Sequence, residues 1–216
     1  MIVEHEISQL IIDEYTKILK SCLCSDVIIA GAGPSGLIAS YYLAKTGLKV
    51  IIFERKGSIG GGIWGGGMMF NRIVVQDDAK PILDEIGVKT HRYGKYYVAS
   101  ACELATKLCT KAIDSGAEIF NFISVEDLAI QENKVTGVVV NWSAVEIAGL
   151  HVDPLTFESK VTIDATGHDA YLVNLLAKRG IKLLTPTGKI EGEKPMWAQR
   201  GEESVSYTHL TLPTKA

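Results

Sequence analysis

The chain has 216 residues and a formal net charge of -3, and 47% of its residues are hydrophobic and 22% charged, as in an ordinary globular protein. The length suits one large domain or two small ones. No run approaches the roughly 18 apolar residues of a membrane span, and no basic excess exists to neutralise phosphates, so we expect neither a membrane protein nor a nucleic-acid partner. We expect a cytoplasmic protein, since the acidic N-terminus does not fit a secretory signal and four cysteines are too few for a disulfide scaffold.

The apolar pattern predicts an α/β fold in which helices and strands follow one another along the chain. Residues 5–20 have apolar side chains at helical spacing, which predicts an N-terminal helix within residues 1–25. A strand over 26–30, a glycine turn, a helix over 37–46 and a strand over 50–53 then form one βαβ unit. Further on, we predict helices over 78–86, 101–115 and 169–179 and strands over 117–121, 124–131, 135–141 and 157–165.

A glycine-rich segment, residues 57–69, follows the second strand of this unit. A flexible linker is polar and rich in Ser, whereas this segment carries Ile63, Trp64 and a pair of methionines. We therefore expect a functional loop that packs against something, rather than a linker.

Gly31, Gly33 and Gly36 have the GxGxxG spacing of a dinucleotide-binding turn, between a predicted strand and a predicted helix. The first glycine allows the tight turn, the second lets the backbone approach a pyrophosphate, and the third lets the helix pack closely on the strand. Glu54 ends the second strand, where a carboxylate can accept hydrogen bonds from the hydroxyls of an adenosine ribose. The alternative is a glycine-rich turn that binds no ligand.

This signature does not choose between FAD and NAD. The acidic residue at position 54 disfavours the 2′-phosphate of NADP by charge repulsion, although the neighbouring Arg55 weakens that argument. The pattern therefore predicts a site for an adenine dinucleotide and leaves the identity of the dinucleotide open.

Asp153 and His168 form a candidate metal pair on the two sides of the predicted strand 157–165. One carboxylate and one imidazole leave open positions for substrate, as non-haem Fe(II) sites require. A direct strand would separate the two residues too far for one ion, so the pair needs a loop that folds back or two subunits that share the site. The alternative is structural: His168 caps the following helix, and Asp153 forms a turn before Pro154.

Together these motifs resemble the thiamine thiazole synthase family, especially its archaeal branch, which uses sulfide. The resemblance covers roughly residues 5–200 and implies a Rossmann-like fold of the two-dinucleotide-binding-domain flavoprotein type, with a central parallel sheet and a β-meander in a single domain over 1–204. It rests on the motifs GAGPSG (31–36), ER (54–55), GGGIWGGGMMF (60–70), SVEDL (124–128), VVNW (139–142), AGLHVDP (148–154) and DATGHDA (164–170).

The resemblance implies an enzyme of thiamine biosynthesis that consumes NAD, glycine and sulfide and uses Fe(II) as its cofactor. Nicotinamide is lost from NAD, the ribose opens and isomerises, and glycine condenses as an imine. Sulfur then enters, and the ring closes to an adenylated thiazole carboxylate. The resemblance also implies a homo-oligomer, in this family an octamer, whose subunits share the active site.

Several nucleotide-binding positions of the family match residues of this chain. By resemblance, Ser35 and the glycine turn hold the diphosphate, and Glu54 and Arg55 hold the adenosine ribose. Gly62 lies against the nucleotide, and Val125 contacts the adenine through its backbone.

The family's remaining site residues are His151, Val152 and Asp153, and the Fe(II) ligands match His168 and an Asp153 contributed by the neighbouring subunit. In the eukaryotic branch, position 151 is a cysteine that surrenders its own sulfur, so each molecule turns over once. Imidazole has no sulfur to give, so we expect this chain to need free sulfide and to turn over repeatedly. We assign His151 the catalytic role of orienting or deprotonating the incoming sulfide, because imidazole exchanges protons near neutral pH.

After Arg200 the sequence departs from the family pattern. The family has a further C-terminal stretch with a Met and an Arg, the latter holding the glycine carboxylate. We expect residues 205–216 to be a non-native tail, since they resemble a translated sequencing adapter. We therefore expect a truncated chain that binds NAD and glycine poorly and exposes a strand edge.

Two other functions are compatible with the same βαβ unit. An FAD-dependent oxidoreductase would be a yellow protein with a flavin spectrum. A non-catalytic nucleotide-binding module would bind NAD without turnover.

Overall fold

The computed structural model of the chain describes residues 3–183 and residue 190, so the expected tail at 205–216 lies outside the described residues. The helices are α1 (Glu4–Cys22), α2 (Pro34–Lys45), α3 (Lys80–Glu85), α4 (Ala101–Asp114), α5 (Ser143–Ala148) and α6 (Tyr171–Lys178). The strands are β1 (Cys24–Ala30), β2 (Val50–Glu54), β3 (Arg72–Val75), β4 (Thr90–Tyr93), β5 (Tyr96–Ser100), β6 (Glu118–Asn121), β7 (Ile123–Gln131), β8 (Lys134–Trp142) and β9 (Leu155–Asp164).

A six-stranded sheet with the order β6-β2-β1-β9-β8-β7 organises the molecule. Strands β6, β2, β1 and β9 are parallel, while β7, β8 and the start of β9 form an antiparallel meander. Strand β9 changes partners along its length, since residues 155–158 pair with β8 and residues 158–164 pair with β1. The expected α/β fold, with a central parallel sheet and a β-meander, is therefore confirmed.

The parallel part of the sheet is covered on both faces, which is why residues 27–30 of β1 and 50–53 of β2 are continuous apolar runs. Ile29 and Ile52 belong to the core cluster that includes residues of α2 and α4. Ile28 and Ile51 point to the other face and pack with Phe157 of the meander. Full burial of one such side chain stabilises the fold by about 1.5–3 kcal/mol.

A second sheet, with the order β3-β5-β4, and helix α5 are additions that the sequence pattern does not predict. The pattern is weak because these elements are short and β4 exposes three of its four residues. Ile73 on β3 and Ala99 on β5 pack against the core cluster beside α2. The small antiparallel sheet therefore extends the main core.

The glycine-rich segment packs on the protein through only part of its length. Ile59 and Ile63 contact the core, and the Trp64 indole N–H donates a hydrogen bond of 2.7 Å to the Ile59 carbonyl. This confirms the expectation of a packed loop for the first half of the segment. Met68 and Met69 are 86% and 88% exposed, so the methionine pair has little packing within the described residues, and the expectation for this pair stays a prediction.

Helix α1 confirms the predicted N-terminal helix. Ile18 and Leu19 pack against the core cluster on the meander face of the sheet. The Tyr15 ring meets Phe120 and Trp142 edge-on, at centroid distances of 6.0 and 6.5 Å, and its burial raises the pKa of Tyr15. Among the described residues, no helix is long and apolar enough to cross a membrane.

Glu85, the last residue of α3, ties that helix to α2. Its carboxylate accepts hydrogen bonds from the Tyr42 hydroxyl at 2.7 Å, the Lys45 ammonium at 2.9 Å and the Tyr41 hydroxyl at 2.8 Å. These three donors, in that order of effect, lower the pKa of Glu85 from 4.5 to about 2. The cluster fixes a short helix that has few buried residues of its own.

We predict that Glu85→Gln lowers the melting temperature at neutral pH by more than it does in acid. Because the folded state depresses the pKa of Glu85 from 4.5 to about 2, its charge stabilises the fold above pH 4.5. That contribution disappears as the pH falls through about 2. Thermal melts between pH 7 and pH 2 should show the gap between the two proteins closing.

Asp114→Asn is the matched control, because this exposed carboxylate at the end of α4 makes no ion pair within the described part of the chain. A gap for Glu85→Gln that is independent of pH would contradict the assignment.

Candidate functional site

The glycine turn between β1 and α2 is closed by contacts that only glycine permits. Gly31 has φ +102°, and a Cβ there would lie under 3.0 Å from the Ala165 carbonyl, at the end of β9. A Cβ on Gly36 would collide in the same way with the Gly31 carbonyl. Two of the three motif glycines therefore serve backbone packing.

Gly33 differs from its two neighbours in the motif. No protein atom lies within 4 Å of the position that its Cβ would occupy, so this glycine borders open space. It is the N-cap of α2, no side chain caps the helix, and Ser35 in the first turn is exposed. Uncapped N–H groups and the positive end of the helix dipole favour an anion such as a diphosphate.

Glu54 connects this turn to the end of β2. Its side chain is 6% exposed, and the carboxylate accepts hydrogen bonds from the backbone N–H of Ala32 at 2.9 Å and of Lys56 at 2.8 Å. Because each carboxylate oxygen has a second lone pair, these bonds leave capacity for a ribose hydroxyl. The sequence predicts the ribose contact of Glu54 but not this structural role, and the neighbouring Arg55 is exposed.

The first half of the glycine-rich segment lies directly on the turn. The Gly60 N–H donates a hydrogen bond of 2.8 Å to the Ala32 carbonyl. Gly61 begins a 3-10 turn, and its missing Cβ would lie 3.0 Å from the Gly33 Cα. Gly62 follows and is exposed beside the turn. The loop thus borders the same open space as Gly33.

The segment that leads to Val125 starts beside the end of β2. The Asn121 amide donates a hydrogen bond of 3.0 Å to the Gly57 carbonyl, and the Phe122 N–H donates one of 3.3 Å to the Lys56 carbonyl. Val125 lies three residues further along, half-buried on β7. The structure therefore brings this segment close to the residues that follow Glu54.

His151, Val152 and Asp153 lie in the loop between α5 and β9, and all three are exposed. They line an open cleft of about 390 Å³ together with Glu126, Asn141, Val145 and Leu150. The cleft thus joins the candidate catalytic imidazole and the candidate metal carboxylate to the start of β7.

His168 lies in a turn that is organised by a neighbouring acid. The Asp164 carboxylate accepts hydrogen bonds from the Thr166 N–H and hydroxyl and from the Val173 N–H of α6. The Thr166 hydroxyl in turn accepts a bond of 2.8 Å from the Tyr171 N–H. Thr166 therefore binds one of the backbone N–H groups at the start of α6. The alternative in which His168 caps this helix stays a prediction. The signal for these structural roles is the sequence Asp-Ala-Thr-Gly, in which short polar side chains bind nearby backbone.

The described chain does not assemble a metal site from Asp153 and His168. An ion binds its nitrogen and oxygen ligands at about 2.0–2.2 Å, which brings two ligands of one ion within about 4 Å of each other. Within the described residues, the Asp153 and His168 side chains share neither a hydrogen bond nor an ion pair. Among the same residues, no group of three or more His, Cys, Asp or Glu side chains could hold a metal. Carboxylate and imidazole suit Fe(II) as donor types, but the ten residues of β9 stand between them.

The fold and the glycine turn define an α/β protein of the Rossmann type. The Thi4 family matches residues 8–212, and the chain belongs to that family.

Two relatives and one more distant protein illustrate the similarity. The thiamine thiazole synthase of Pyrococcus horikoshii is 53% identical over 215 residues, which cover 99% of this chain and 83% of that relative. The crystal structure of Thermovibrio ammonificans THI4 matches with a TM-score of 0.87 and 48% identity, covering 94% of this chain and 79% of that one. A geranylgeranyl bacteriochlorophyll reductase-like protein from Thermoplasma acidophilum has a TM-score of 0.52 at 18% identity, over 70% of this chain and 41% of that one, and shows the fold alone.

We predict that the motif glycines separate into two classes when each is replaced by alanine. Gly36→Ala places a methyl group against the Gly31 carbonyl, so it should destabilise the fold by about 1–3 kcal/mol. Gly33→Ala meets no protein atom and has an extended backbone, so its unfolding free energy should stay within about 0.5 kcal/mol of the unaltered chain. Urea unfolding measures both values, and equal losses for the two variants would contradict the packing described.

Proposed function

We propose that this chain is a thiamine thiazole synthase that makes an adenylated thiazole carboxylate from NAD, glycine and sulfide with the aid of Fe(II), in the cytoplasm. The observation that carries the proposal is the glycine turn, in which Gly33 alone of the three motif glycines borders open space at the start of α2. Membership of the Thi4 family supports it, because relatives that are about half identical bear the name thiamine thiazole synthase.

Binding of NAD would use mainly backbone groups. The first-turn N–H groups of α2, with the exposed Ser35, would hold the diphosphate. Glu54 would accept a ribose hydroxyl with its remaining lone pairs while it holds the turn, and Arg55 would lie at the same end of the nucleotide. Gly62 would lie against the nucleotide, and the backbone of Val125 would contact the adenine.

Sulfur would come from free sulfide, because the position that a sulfur-donating cysteine occupies in the eukaryotic branch is His151. None of the four cysteines lies in the segment 148–154. Burial raises the pKa of the Cys22 and Cys109 thiols, which disfavours the reactive thiolate in both. The exposed imidazole of His151, at the rim of the cleft, would orient or deprotonate sulfide.

The Fe(II) ligands in this proposal are His168 and Asp153 of the partner subunit. Sharing accounts for the absence of a contact between these two side chains within one described chain, and it makes a homo-oligomer, in this family an octamer, necessary for activity. When bound, Fe(II) would supply Lewis acidity and hold reactants together. Both ligand positions are exposed, so a second copy of the chain can reach them.

Anaerobic incubation with NAD, glycine, sulfide and Fe(II) should yield an adenylated thiazole that mass spectrometry detects. We predict several molecules of product per subunit, since no protein atom supplies the sulfur, and none when any one component is left out. The assay should include the 216-residue chain and a version whose residues after 204 are replaced by the corresponding C-terminal segment of the Pyrococcus horikoshii relative. The second protein tests whether the expected truncation limits the yield.

His151→Ala should lower sulfide-dependent turnover by about 100-fold or more, as loss of a group that moves a proton does. His91→Ala is the matched control, because this exposed imidazole lies on β4, away from the cleft. Full activity of His151→Ala would refute the role of this side chain. A flavin spectrum in the purified protein, or NAD binding without product in both versions of the chain, would refute the proposed reaction.

A further inference from the structure

We propose that Asn141 is a positioning residue, which fixes the loop that carries His151 and Asp153 by a hydrogen bond to the backbone between them. This inference rests on the proposed function, because it gives that loop its importance. It concerns a side chain of β8 that lines the same cleft and acts through the loop it holds.

The Asn141 side chain uses both ends of its amide. It is 6% exposed, near the end of β8. Its Nδ2 donates a hydrogen bond of 3.1 Å to the Val152 carbonyl, and its Oδ1 accepts one of 3.0 Å from the Trp142 N–H. A buried amide with both ends satisfied is rigid, since any rotation would leave a buried polar group without a partner.

The loop has few other attachments. Helix α5 ends at Gly149, which has a left-handed conformation, and the Leu150 N–H bonds back to the Val145 carbonyl. After that point, and within the part of the chain that the structure describes, residues 151–154 make the single hydrogen bond to Asn141. Packing does not replace further bonds, because the Val152 side chain is 51% exposed.

The Val152 carbonyl, which accepts the bond from Asn141, lies between the two candidate site residues of the loop. It belongs to the residue between His151 and Asp153, and Pro154 follows with its fixed φ. Holding this one oxygen therefore limits the movement of both flanking residues. Groups that orient the ligands of a metal change metal affinity by about 10–100-fold when they are removed.

Position 141 needs an amide side chain, because it must donate one hydrogen bond and accept another. A carboxylate at position 141 could accept from the Trp142 N–H, but it has no hydrogen to donate and would face the Val152 carbonyl oxygen with a second oxygen. Asn141→Asp therefore keeps the size of the side chain and one of its two bonds, but it loses the bond that holds the loop and buries a charge beside the Val152 carbonyl. Asn141→Ser loses the bond to the loop without adding a charge.

Ser143→Ala is the matched control, because Ser143 lies two residues after Asn141. Ser143 is buried at the start of α5, and its hydroxyl accepts a hydrogen bond of 3.1 Å from Ser124. Its removal costs a buried hydrogen bond close to Asn141 without affecting the Val152 carbonyl. Asn141→Ser and Ser143→Ala should lose similar amounts of thermal stability, because both remove buried hydrogen bonding without adding a charge.

The first measurement is digestion of the full-length variants with a protease that cuts on the amino side of aspartate, with the fragments identified by mass. The bond before Asp153 contains the Val152 carbonyl that Asn141 holds. We expect Asn141→Ser, which adds no new aspartate, to be cut there at least fivefold faster than both the unaltered chain and Ser143→Ala, while cutting before the exposed Asp114 stays the same.

The second measurement is an anaerobic titration with Co(II), followed by its visible absorption, as a stand-in for Fe(II). Asn141→Asp should bind Co(II) at least tenfold more weakly than Ser143→Ala does. If Asn141→Asp does not fold, Asn141→Ser replaces it, because the short neutral side chain also loses the bond to Val152.

Equal cutting before Asp153 and equal Co(II) affinity in the Asn141 variant and Ser143→Ala would overturn the inference. Failure of the unaltered chain to bind Co(II) would instead contradict the proposed iron site, and the digestion would still decide whether Asn141 holds the loop. The two failures are therefore distinguishable.

Discussion

The buried carboxylate of Glu54 and its hydrogen bond to the Ala32 N–H hold the glycine turn against the end of β2. An ionised carboxylate is costly to bury unless hydrogen bonds satisfy it, and bonds to a charged group contribute about 1.5–3 kcal/mol each. Ala32 is fully buried, and its carbonyl accepts the Gly60 N–H while its N–H binds Glu54. One residue of the turn thus joins β1, β2 and the glycine-rich loop.

Further contacts close the glycine turn around Ala32. The turn is closed by the contact of Gly31 with the end of β9, so it needs no rearrangement to meet a ligand. A site that is formed in advance saves the free energy of ordering the chain on binding. In the proposed function, the diphosphate would meet the start of α2 on the open side of Gly33. The segment that leads to Val125 is tied to the same corner by Asn121.

The second part of the proposed site is built differently. His151 and Asp153 belong to an exposed loop with little packing, which is attached to the sheet through the Asn141 amide. His168 belongs to the turn that Asp164 and Thr166 organise at the other end of β9. The chain therefore presents two candidate metal ligands on two separately stabilised segments. In our account, an iron site forms when segments from two copies meet.

The βαβ unit could be predicted because its strands are apolar runs and its turn needs glycine at Gly31 and Gly36. The small sheet β3-β5-β4 could not, since its strands are short and partly exposed, and no periodicity distinguishes them from loops. The structural roles of Glu54 and Asn141 depend on contacts between residues distant in sequence, which spacing does not reveal.

The central claim is that the metal site takes one ligand from each of two chains, and mixing two inactive variants tests it most directly. Asp153→Ala and His168→Ala should each make no adenylated thiazole. When equal amounts are unfolded and reassembled together, random pairing of subunits leaves about a quarter of the shared sites with both ligands intact. We predict that the mixture regains about a quarter of the activity of the unaltered protein treated in the same way. A mixture that stays as inactive as either variant alone would contradict a site shared between subunits.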